Sequence, residues 1–264
     1  MTTAQAELDR AEELREQGRY AESEAVLTPL IRRVDRECGA RSVAAARVRN
    51  AYGLLLKATG RYAEAKTCYL QALDILSSCG SSPGEVVTDL AAVHHNLAGI
   101  GFVLGEIEEA IGWGSRGLEL RRTVAGPDDF DLLCDEGNLA PILIAAGELD
   151  RAERMLAHVH DQFVARLGAD DYEVAVVLTN LGVLAARRGD RAAALTRLGE
   201  AIRIKTDRLG PEHPELIRTL INIAVVAEDA GEAERAGEAV ARARGIAERT
   251  LPEGHELRQT LRDW

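Results

Sequence analysis

The chain has 264 residues, of which 46% are hydrophobic, 28% are charged and 4% are aromatic. This is the composition of a folded, soluble protein, and the length allows one or two globular domains or one array of repeats. The formal net charge of -11 argues against a general binder of nucleic-acid backbones, because such proteins need clustered lysine and arginine. We therefore expect no nucleic-acid partner.

Nothing in the sequence indicates a membrane or secretory protein. We find no apolar run near the roughly 20 residues that a helix needs to cross a bilayer. The opening residues, MTTAQAELDRAEEL, lack the basic and apolar regions of a signal peptide. We expect a cytoplasmic protein without a membrane partner, in which the unpaired cysteines are small buried thiols: Cys38, Cys68, Cys79 and Cys134.

Glycines recur at a nearly constant interval along the whole chain. Successive members are 42, 45, 42, 42 and 42 residues apart: Gly18, Gly60, Gly105, Gly147, Gly189 and Gly231. An apolar segment of helical period precedes each glycine, and a second helical segment follows it. Glycine suits the left-handed conformation that ends a helix, where a Cβ atom would clash. We predict twelve helices in six antiparallel pairs.

The first predicted pair runs from about residue 3 to 16 and from 20 to 37. The six repeats are predicted at about 3–38, 40–79, 83–124, 128–167, 170–209 and 212–250, followed by a capping helix at 253–264. We treat residues 1–264 as one array. The second helices carry an alanine at a fixed offset after the turn glycine: Ala25, Ala110, Ala152, Ala194 and Ala236.

The segments between the pairs also recur, as LGADDYEV from Leu167, LGPEHPEL from Leu209 and LPEGHEL from Leu251. Glycine and proline end the second helix, and the acidic residues offer N-caps to the next helix. A three-residue insertion after Cys79 predicts a bulged loop. Pro141 falls within the first helix of the fourth repeat and predicts a kink or a break there, unless its surroundings compensate.

Motifs that suggest catalysis or cofactor binding do not have the required context. GWGSRG at 112–117 matches a dinucleotide-binding pattern, but it lies within a predicted second helix and follows no strand. The adjacent His94 and His95 diverge around a helix, whereas His213 and His255 belong to the linkers, where they cap helices or lie exposed. We expect no metal, no cofactor and no catalytic residues.

Paired helices with small residues after a glycine turn resemble the tetratricopeptide repeat. The 42-residue period and the LGPEHPEL linker are similar to the longer variant found in kinesin light chains. The resemblance implies an all-α fold, a right-handed superhelical solenoid of six helix-turn-helix repeats plus a C-terminal capping helix. It also implies that the first helices line a concave groove.

The resemblance further implies a column of ligand-binding asparagines in the first helices. The family's asparagine lies two residues before a small residue, which here corresponds to Asn96, Asn138, Asn180 and Asn222. An asparagine carboxamide donates and accepts hydrogen bonds, so it can bind an extended peptide backbone of any sequence. Ala51 replaces this asparagine in the second repeat, and Asp9 replaces it in the first.

Other side chains, one turn either way on the same face of these helices, can add specificity. The expected contributors are Arg47, Asn50, Lys57, His95, Phe102, Arg187 and Arg218. Their basic members suit the carboxylates of an acidic or C-terminal ligand. Two structural alternatives stay open: the asparagines can hydrogen-bond across repeat interfaces, and the arginines can pair with nearby glutamates.

The sequence therefore predicts an interaction module that binds a peptide or a partner protein, without enzymatic activity. A second hypothesis is a regulatory sensor whose repeats rearrange when a small ligand or a signalling peptide binds. A third hypothesis is an enzyme that uses the groove as an active site. The oligomeric state and the identity of the partner are left open.

Overall fold

The computed structural model describes residues 3–79, 83–126 and 129–264, and within these ranges the chain is helical and contains no strand. Residues 80–82 of the linker that carries the predicted insertion, and the repeat boundary at 128, lie outside the described residues. The described helices are α1 (Thr3–Glu16), α2 (Tyr20–Val34), α3 (Val43–Ala58), α4 (Tyr62–Ser78), α5 (Pro83–Val103), α6 (Ile107–Arg122), α7 (Phe130–Ala145), α8 (Leu149–Leu167), α9 (Tyr172–Arg187), α10 (Arg191–Leu209), α11 (Leu216–Asp229), α12 (Ala233–Thr250) and α13 (Glu256–Asp263). A π-helical segment, Asp35–Gly39, extends α2. The prediction of paired helices followed by one C-terminal helix is confirmed.

The chain divides into two compact units, unit 1 (Met1–Asp135) and unit 2 (Glu136–Trp264). In unit 1, the two helices of each pair pack against each other, as α1 does with α2 and α3 with α4. The second helix of a pair then packs against the first helix of the next pair. Unit 2 repeats this arrangement with α9 and α10, α11 and α12, and finally α13 against α12.

The six periodic glycines all adopt the predicted left-handed conformation, with φ between 74° and 84°. Around Gly189, its own N–H donates to Ala186 O at 2.9 Å and the following Asp190 N–H donates to Ala185 O at 2.9 Å. These two bonds define a Schellman motif, which satisfies the last carbonyls of the helix. The same pair of bonds closes the first helix at each of the other five glycines.

A buried small residue stands five positions after each turn glycine and lets the two helices of a pair approach closely. The series is Ser23, Ala65, Ala110, Ala152, Ala194 and Ala236. The predicted member Ala25 is wrong, because it is exposed on another side of α2. Ser23 is fully buried there instead, and its hydroxyl donates to Ala11 O at 2.8 Å.

At intervals of 42 residues, the side chain of a linker residue accepts a hydrogen bond from a backbone N–H at the start of the next helix or just before it. Asp129 Oδ1 accepts from Leu132 N–H at 3.2 Å, and Asp171 Oδ1 accepts from Glu173 N–H at 3.0 Å. The linker histidines do the same with Nδ1. Glu215 N–H donates to His213 at 3.2 Å, and Leu257 N–H donates to His255 at 3.1 Å. These contacts satisfy backbone donors that a helix start leaves open.

The helix does not break at Pro141: α7 continues through it from Phe130 to Ala145. The thiols also differ from expectation. Cys38 is exposed and the other three cysteines are half-buried, while none of the four forms a disulfide.

One described helical window, Val86–Val103 in α5, is long and apolar enough to cross a membrane by length and composition alone, with a mean hydropathy of 1.2. Half of this window is buried inside the protein. Its buried members include Val93, Leu97 and Ile100, which join the core cluster formed with Tyr69 and Leu76. The apolar character of α5 is therefore used in packing between repeats.

Candidate peptide-binding face

The first helices of unit 2 present one stripe of exposed and half-buried side chains. In α11, Arg218, Asn222, Val225 and Asp229 are spaced by four, three and four residues, so they share one face of the helix. The corresponding stripe in α9 lies 42 residues earlier, and part of it recurs in α7. We call this surface the ladder face; it consists of Asn138, Pro141, Ala145, Val176, Asn180, Val183, Arg187, Arg218, Asn222, Val225 and Asp229.

Two chemically uniform rows cross the ladder face. The amide row contains the predicted asparagines of the last three repeats, Asn138, Asn180 and Asn222. Three residues further along each helix, the apolar row contains Pro141, Val183 and Val225. Val225 leaves 46% of its surface exposed, which is unusual for a valine in a helix. The face therefore combines hydrogen-bonding groups with apolar surface that the described chain leaves uncovered.

The three asparagines of the amide row differ in their hydrogen bonds. Asn180 is half-buried, and its Nδ2 donates to Gly137 O of α7 at 3.1 Å. Asn138 is exposed and Asn222 is half-buried, and neither forms a hydrogen bond with a described residue. Asn180 therefore uses one N–H in a hydrogen bond between repeats, whereas the carboxamides of Asn138 and Asn222 have no hydrogen-bond partner among the described residues.

The two predicted arginines on this face are exposed and form no ion pair with any described residue. The neighbouring Arg188 differs, because it bonds to Asp150 at 2.7 Å and to Glu153 at 2.9 Å. Arg187 and Arg218 thus keep their guanidinium groups open to carboxylates or carbonyls from outside. For these two arginines, pairing with nearby glutamates is not observed.

In unit 1, the predicted asparagines Asn50 and Asn96 bind each other. Asn96 Nδ2 donates to Asn50 Oδ1 at 2.8 Å, which joins α5 to α3 across a repeat junction. Asn96 is only 8% exposed. Lys57 lies across Gly99, where an added Cβ atom would come within 3.0 Å of its Nζ. These side chains meet at the junction between the second and third repeats. Asn96 therefore follows the alternative in which an asparagine hydrogen-bonds across a repeat interface.

Two further predicted contributors of unit 1 lie on the same helices. Arg47 of α3 donates through Nε to Asp89 Oδ2 of α5 at 2.9 Å, so its guanidinium group is already paired across the repeat junction. Phe102 of α5 is half-buried. The alternative in which a predicted arginine pairs with an acidic residue therefore holds for Arg47.

The predicted residue His95 belongs to a buried charged cluster rather than to the column of asparagines. Its Nδ1 lies 2.9 Å from Asp135 Oδ1, and Asp135 Oδ2 accepts from Arg121 Nε at 2.9 Å. Arg121 also reaches Asp131, at 3.1 Å. Sequence reasoning missed Arg121 and Asp135. Both residues are charged and buried, with 6% of Arg121 and 7% of Asp135 exposed.

A buried lysine beneath the ladder face was also missed. Lys205 of α10 is 5% exposed, and its Nζ donates to Thr219 Oγ1 at 3.1 Å. The ammonium group lies 6.0 Å from the ring centroid of Tyr172. Burial lowers the pKa of Lys205, while Glu215 and Glu173 oppose that effect. A comparison of the repeats could have identified Lys205, because the residues 42 positions before and after it, Phe163 and Ala247, are apolar and buried.

The structure thus defines a protein of consecutive helical hairpins, each closed by a glycine turn. The family model of the tetratricopeptide repeat matches residues 2–78 and 131–207, which is more than half of the chain. The chain therefore belongs to the tetratricopeptide repeat family.

Several solved structures share the fold. BtubC (BKLC) from P. vanneervenii is 22% identical, with 94% of this chain and 92% of that chain covered and a TM-score of 0.59. A putative kinesin light chain from Podosopora anserina with nearly identical TPR-like repeats is 19% identical, with 79% and 98% covered and a TM-score of 0.54. NprR in complex with its cognate peptide NprX is 15% identical, with 98% and 69% covered and a TM-score of 0.73. No curated protein sequence matches the chain.

Proposed function

We propose that the protein is an interaction module whose ladder face binds an extended peptide or a peptide-like segment of a partner protein. The observation that carries the proposal is the amide row, in which Asn138 and Asn222 hold carboxamides without a partner among the described residues. A carboxamide pairs with the N–H and C=O of a peptide backbone, and it does so without selecting the sequence.

The apolar row would supply the side-chain contacts that the amide row lacks. Helices that pack against each other lie about 8–10 Å apart, and the first helices of successive repeats are in contact, as the bond from Asn180 of α9 to Gly137 of α7 shows. An extended chain rises about 3.3 Å per residue, so it would advance roughly three residues from one repeat to the next. A ligand with small apolar side chains at that spacing would reach Pro141, Val183 and Val225 while its backbone follows the asparagines.

The two open arginines indicate where a carboxylate would bind. Arg187 and Arg218 stand on either side of the amide row, on α9 and α11 respectively, and both are exposed. A guanidinium group binds a carboxylate through two parallel hydrogen bonds. An acidic side chain or a C-terminal carboxylate on the ligand would therefore add specificity to backbone recognition.

The comparison with NprR supports a peptide as the ligand. That protein was solved in complex with its cognate peptide NprX, and the match to its fold covers 98% of this chain. A binding module of this kind needs neither a metal nor a catalytic group. We also propose a cytoplasmic location, on the ground of four cysteines without a disulfide.

A selection of peptides from a random display library against the full chain tests the proposal. The selected peptides are then titrated against the parent protein, the Asn138→Ala/Asn222→Ala variant and a Gln259→Ala control. Gln259 is an exposed carboxamide on α13, outside the ladder face. Losing hydrogen bonds to the ligand backbone should weaken the double variant about tenfold or more, and leave the control unchanged.

Equal affinity of the parent and the double variant for every selected peptide would reject the ladder face as the binding site. Circular dichroism of each variant verifies that its helices are intact before the titrations are compared.

A further inference from the structure

Pro141 creates an unusual acceptor in the middle of the ladder face. A proline has no N–H, so the carbonyl four residues earlier in the helix loses its regular donor. In α7 that carbonyl belongs to Gly137, which is buried. A buried carbonyl without a donor is costly, so native structures supply one from elsewhere.

The missing donor comes from the next repeat. Asn180 Nδ2 of α9 donates to Gly137 O at 3.1 Å. The proline and the asparagine are therefore complementary, since one removes a donor and the other provides one. This contact supplies the donor that α7 itself lacks where the helix continues through Pro141.

Unit 2 contains an internal comparison at the next junction. The residue equivalent to Pro141 in α9 is Val183, which has an N–H and can make the regular helical bond to Thr179 O. Asn222 of α11 corresponds to Asn180 of α9, and it forms no hydrogen bond with a described residue. An asparagine at this position is thus bound where the preceding helix has a proline, and it is not bound where that helix has a valine.

We propose that Pro141 is a positioning residue for the amide row. It leaves the Gly137 carbonyl without its helical donor, and that carbonyl then holds the side chain of Asn180. The proposal deepens the function given above and rests on it where ligand binding is concerned. The held carboxamide keeps one N–H and its oxygen for a ligand. Since its rotamer is already restricted, binding would cost less side-chain entropy at Asn180 than at Asn138 or Asn222.

A double-mutant cycle on the stability of the full chain tests the pair without any ligand. The variants are Pro141→Ala, Asn180→Ala and their combination, measured by urea unfolding. With Pro141 present, Asn180→Ala should lower the folding equilibrium constant about tenfold, because the Gly137 carbonyl loses its donor. In the Pro141→Ala background, the helix supplies that donor, and the loss should fall to about threefold or less.

The matched control is Asn222→Ala, which should have the same effect in both backgrounds. Pro141→Val, which introduces the residue found at Val183 and Val225, is the second variant if Pro141→Ala is poorly folded. Equal losses for Asn180→Ala in the parent, Pro141→Ala and Pro141→Val backgrounds would overturn the proposal.

A spectroscopic measurement separates positioning from a general effect on stability. The chain contains five asparagines, at 50, 96, 138, 180 and 222, so selective ¹⁵N-asparagine labelling gives five side-chain NH₂ groups. The Asn180 group should exchange with deuterium more slowly than the Asn222 group in the parent. In Pro141→Ala the two should exchange at similar rates. An Asn180 signal that does not change between parent and variant contradicts the proposal.

The two proposals fail in different ways. If the cycle is additive while selected peptides still lose affinity for Asn138→Ala/Asn222→Ala, only the positioning role of Pro141 is wrong. If the cycle shows coupling while Asn138→Ala/Asn222→Ala leaves peptide affinity unchanged, the positioning role holds and the ladder face is not the binding site.

Discussion

Asparagines that occupy one column of the sequence have different tasks in the structure. Asn96 and Asn180 each give an N–H to the preceding repeat, whereas Asn138 and Asn222 form no hydrogen bond with a described residue. The difference arises from the partner helix, which offers Asn50 Oδ1 in one case and the Gly137 carbonyl in the other. Repeat position alone therefore does not decide whether an asparagine stabilises the array or remains open to a ligand.

This difference predicts unequal effects on stability. Asn96→Ala leaves Asn50 without its hydrogen-bond donor in a nearly buried site, and should lower the free energy of unfolding by about 1 kcal/mol. Asn222→Ala is the control and should change it by about 0.5 kcal/mol or less. Urea unfolding followed by circular dichroism measures both. Similar losses for the two variants would show that the hydrogen bonds do not distinguish them.

The burial of Lys205 leads to a second prediction, which concerns how the stability of the protein depends on pH. Burial lowers its pKa in the folded state, whereas a lysine in an unfolded chain titrates near a pKa of about 10.4. The unfolded chain therefore binds this proton more tightly, so stability rises with pH between the lowered folded pKa and about 10.4. Lys205→Met removes the penalty and should be as stable as the parent, or more stable, at pH 7.

The advantage of Lys205→Met should shrink as the pH approaches about 10, near the unfolded pKa. Lys66→Met is the control with the opposite sign, because the hydrogen bond to Glu106 raises the pKa of Lys66. That stabilisation is present below the unfolded pKa and is lost as the pH rises through the folded pKa, so the control should lose stability at pH 7. A less stable Lys205→Met at pH 7 would contradict the argument.

At the scale of helices, close approach within a pair depends on small residues at fixed positions. Gly182 of α9 faces α10, and a Cβ atom there would lie 2.7 Å from Leu198 Cγ and 3.3 Å from Ala194 O. Leu198 is fully buried, so it has little room to move. The equivalent residues of the neighbouring repeats, Ala140 and Ala224, are alanines, so the constraint at Gly182 comes from its local partner.

Gly182→Ala should consequently lower the free energy of unfolding by about 1–2 kcal/mol, since overpacking exceeds the gain in helix propensity. Gly237→Ala is the matched control, because Gly237 also lies within a helix but an added Cβ meets no atom within 4 Å. The control should gain up to about 1 kcal/mol. Chemical denaturation distinguishes the two, and a stabilised Gly182→Ala would show that Leu198 repacks freely.

The helices could be predicted because their signals are local. A glycine turn requires a positive φ, and an N-cap requires a polar side chain that accepts a hydrogen bond. The six turns, at intervals of 42 or 45 residues, and the linker residues, at intervals of 42, could therefore be recognised in the sequence. The fixed small residue of the first repeat was misplaced at Ala25, because an alanine-rich segment contains several candidates and only packing selects Ser23.

The side-chain contacts of the candidate site could not be predicted in the same way. Whether Asn180 forms a hydrogen bond to α7 depends on the missing N–H at Pro141. The sequence shows the proline, but it does not show that Asn180 Nδ2 lies close to Gly137 O. His95 was placed with the ligand-binding column, yet it bonds to Asp135, because adjacent helical residues point about 100° apart. Such contacts depend on how neighbouring helices are rotated against each other, and periodicity does not report that rotation.

At the scale of the whole molecule, the two units differ in how the polar side chains of their hairpins are paired. In unit 1, Asn50, Asn96 and the His95–Asp135–Arg121 cluster use their polar groups within the protein. In unit 2, the ladder face keeps two carboxamides and two guanidinium groups without hydrogen-bond or ion-pair partners among the described residues, beside an apolar row in which Val225 is exposed. We therefore propose that unit 2 binds the peptide and that unit 1 uses its polar groups mainly for stability.

The ¹⁵N-asparagine spectrum of the full chain, recorded with and without a peptide selected against it, tests this assignment most directly. Binding at the ladder face should shift the side-chain NH₂ signals of Asn138 and Asn222 most strongly, and that of Asn180 to a smaller extent. The signals of Asn50 and Asn96, whose carboxamides bind each other, should stay in place. Shifts confined to Asn50 and Asn96, or no shift in any asparagine at saturating peptide, would contradict the account.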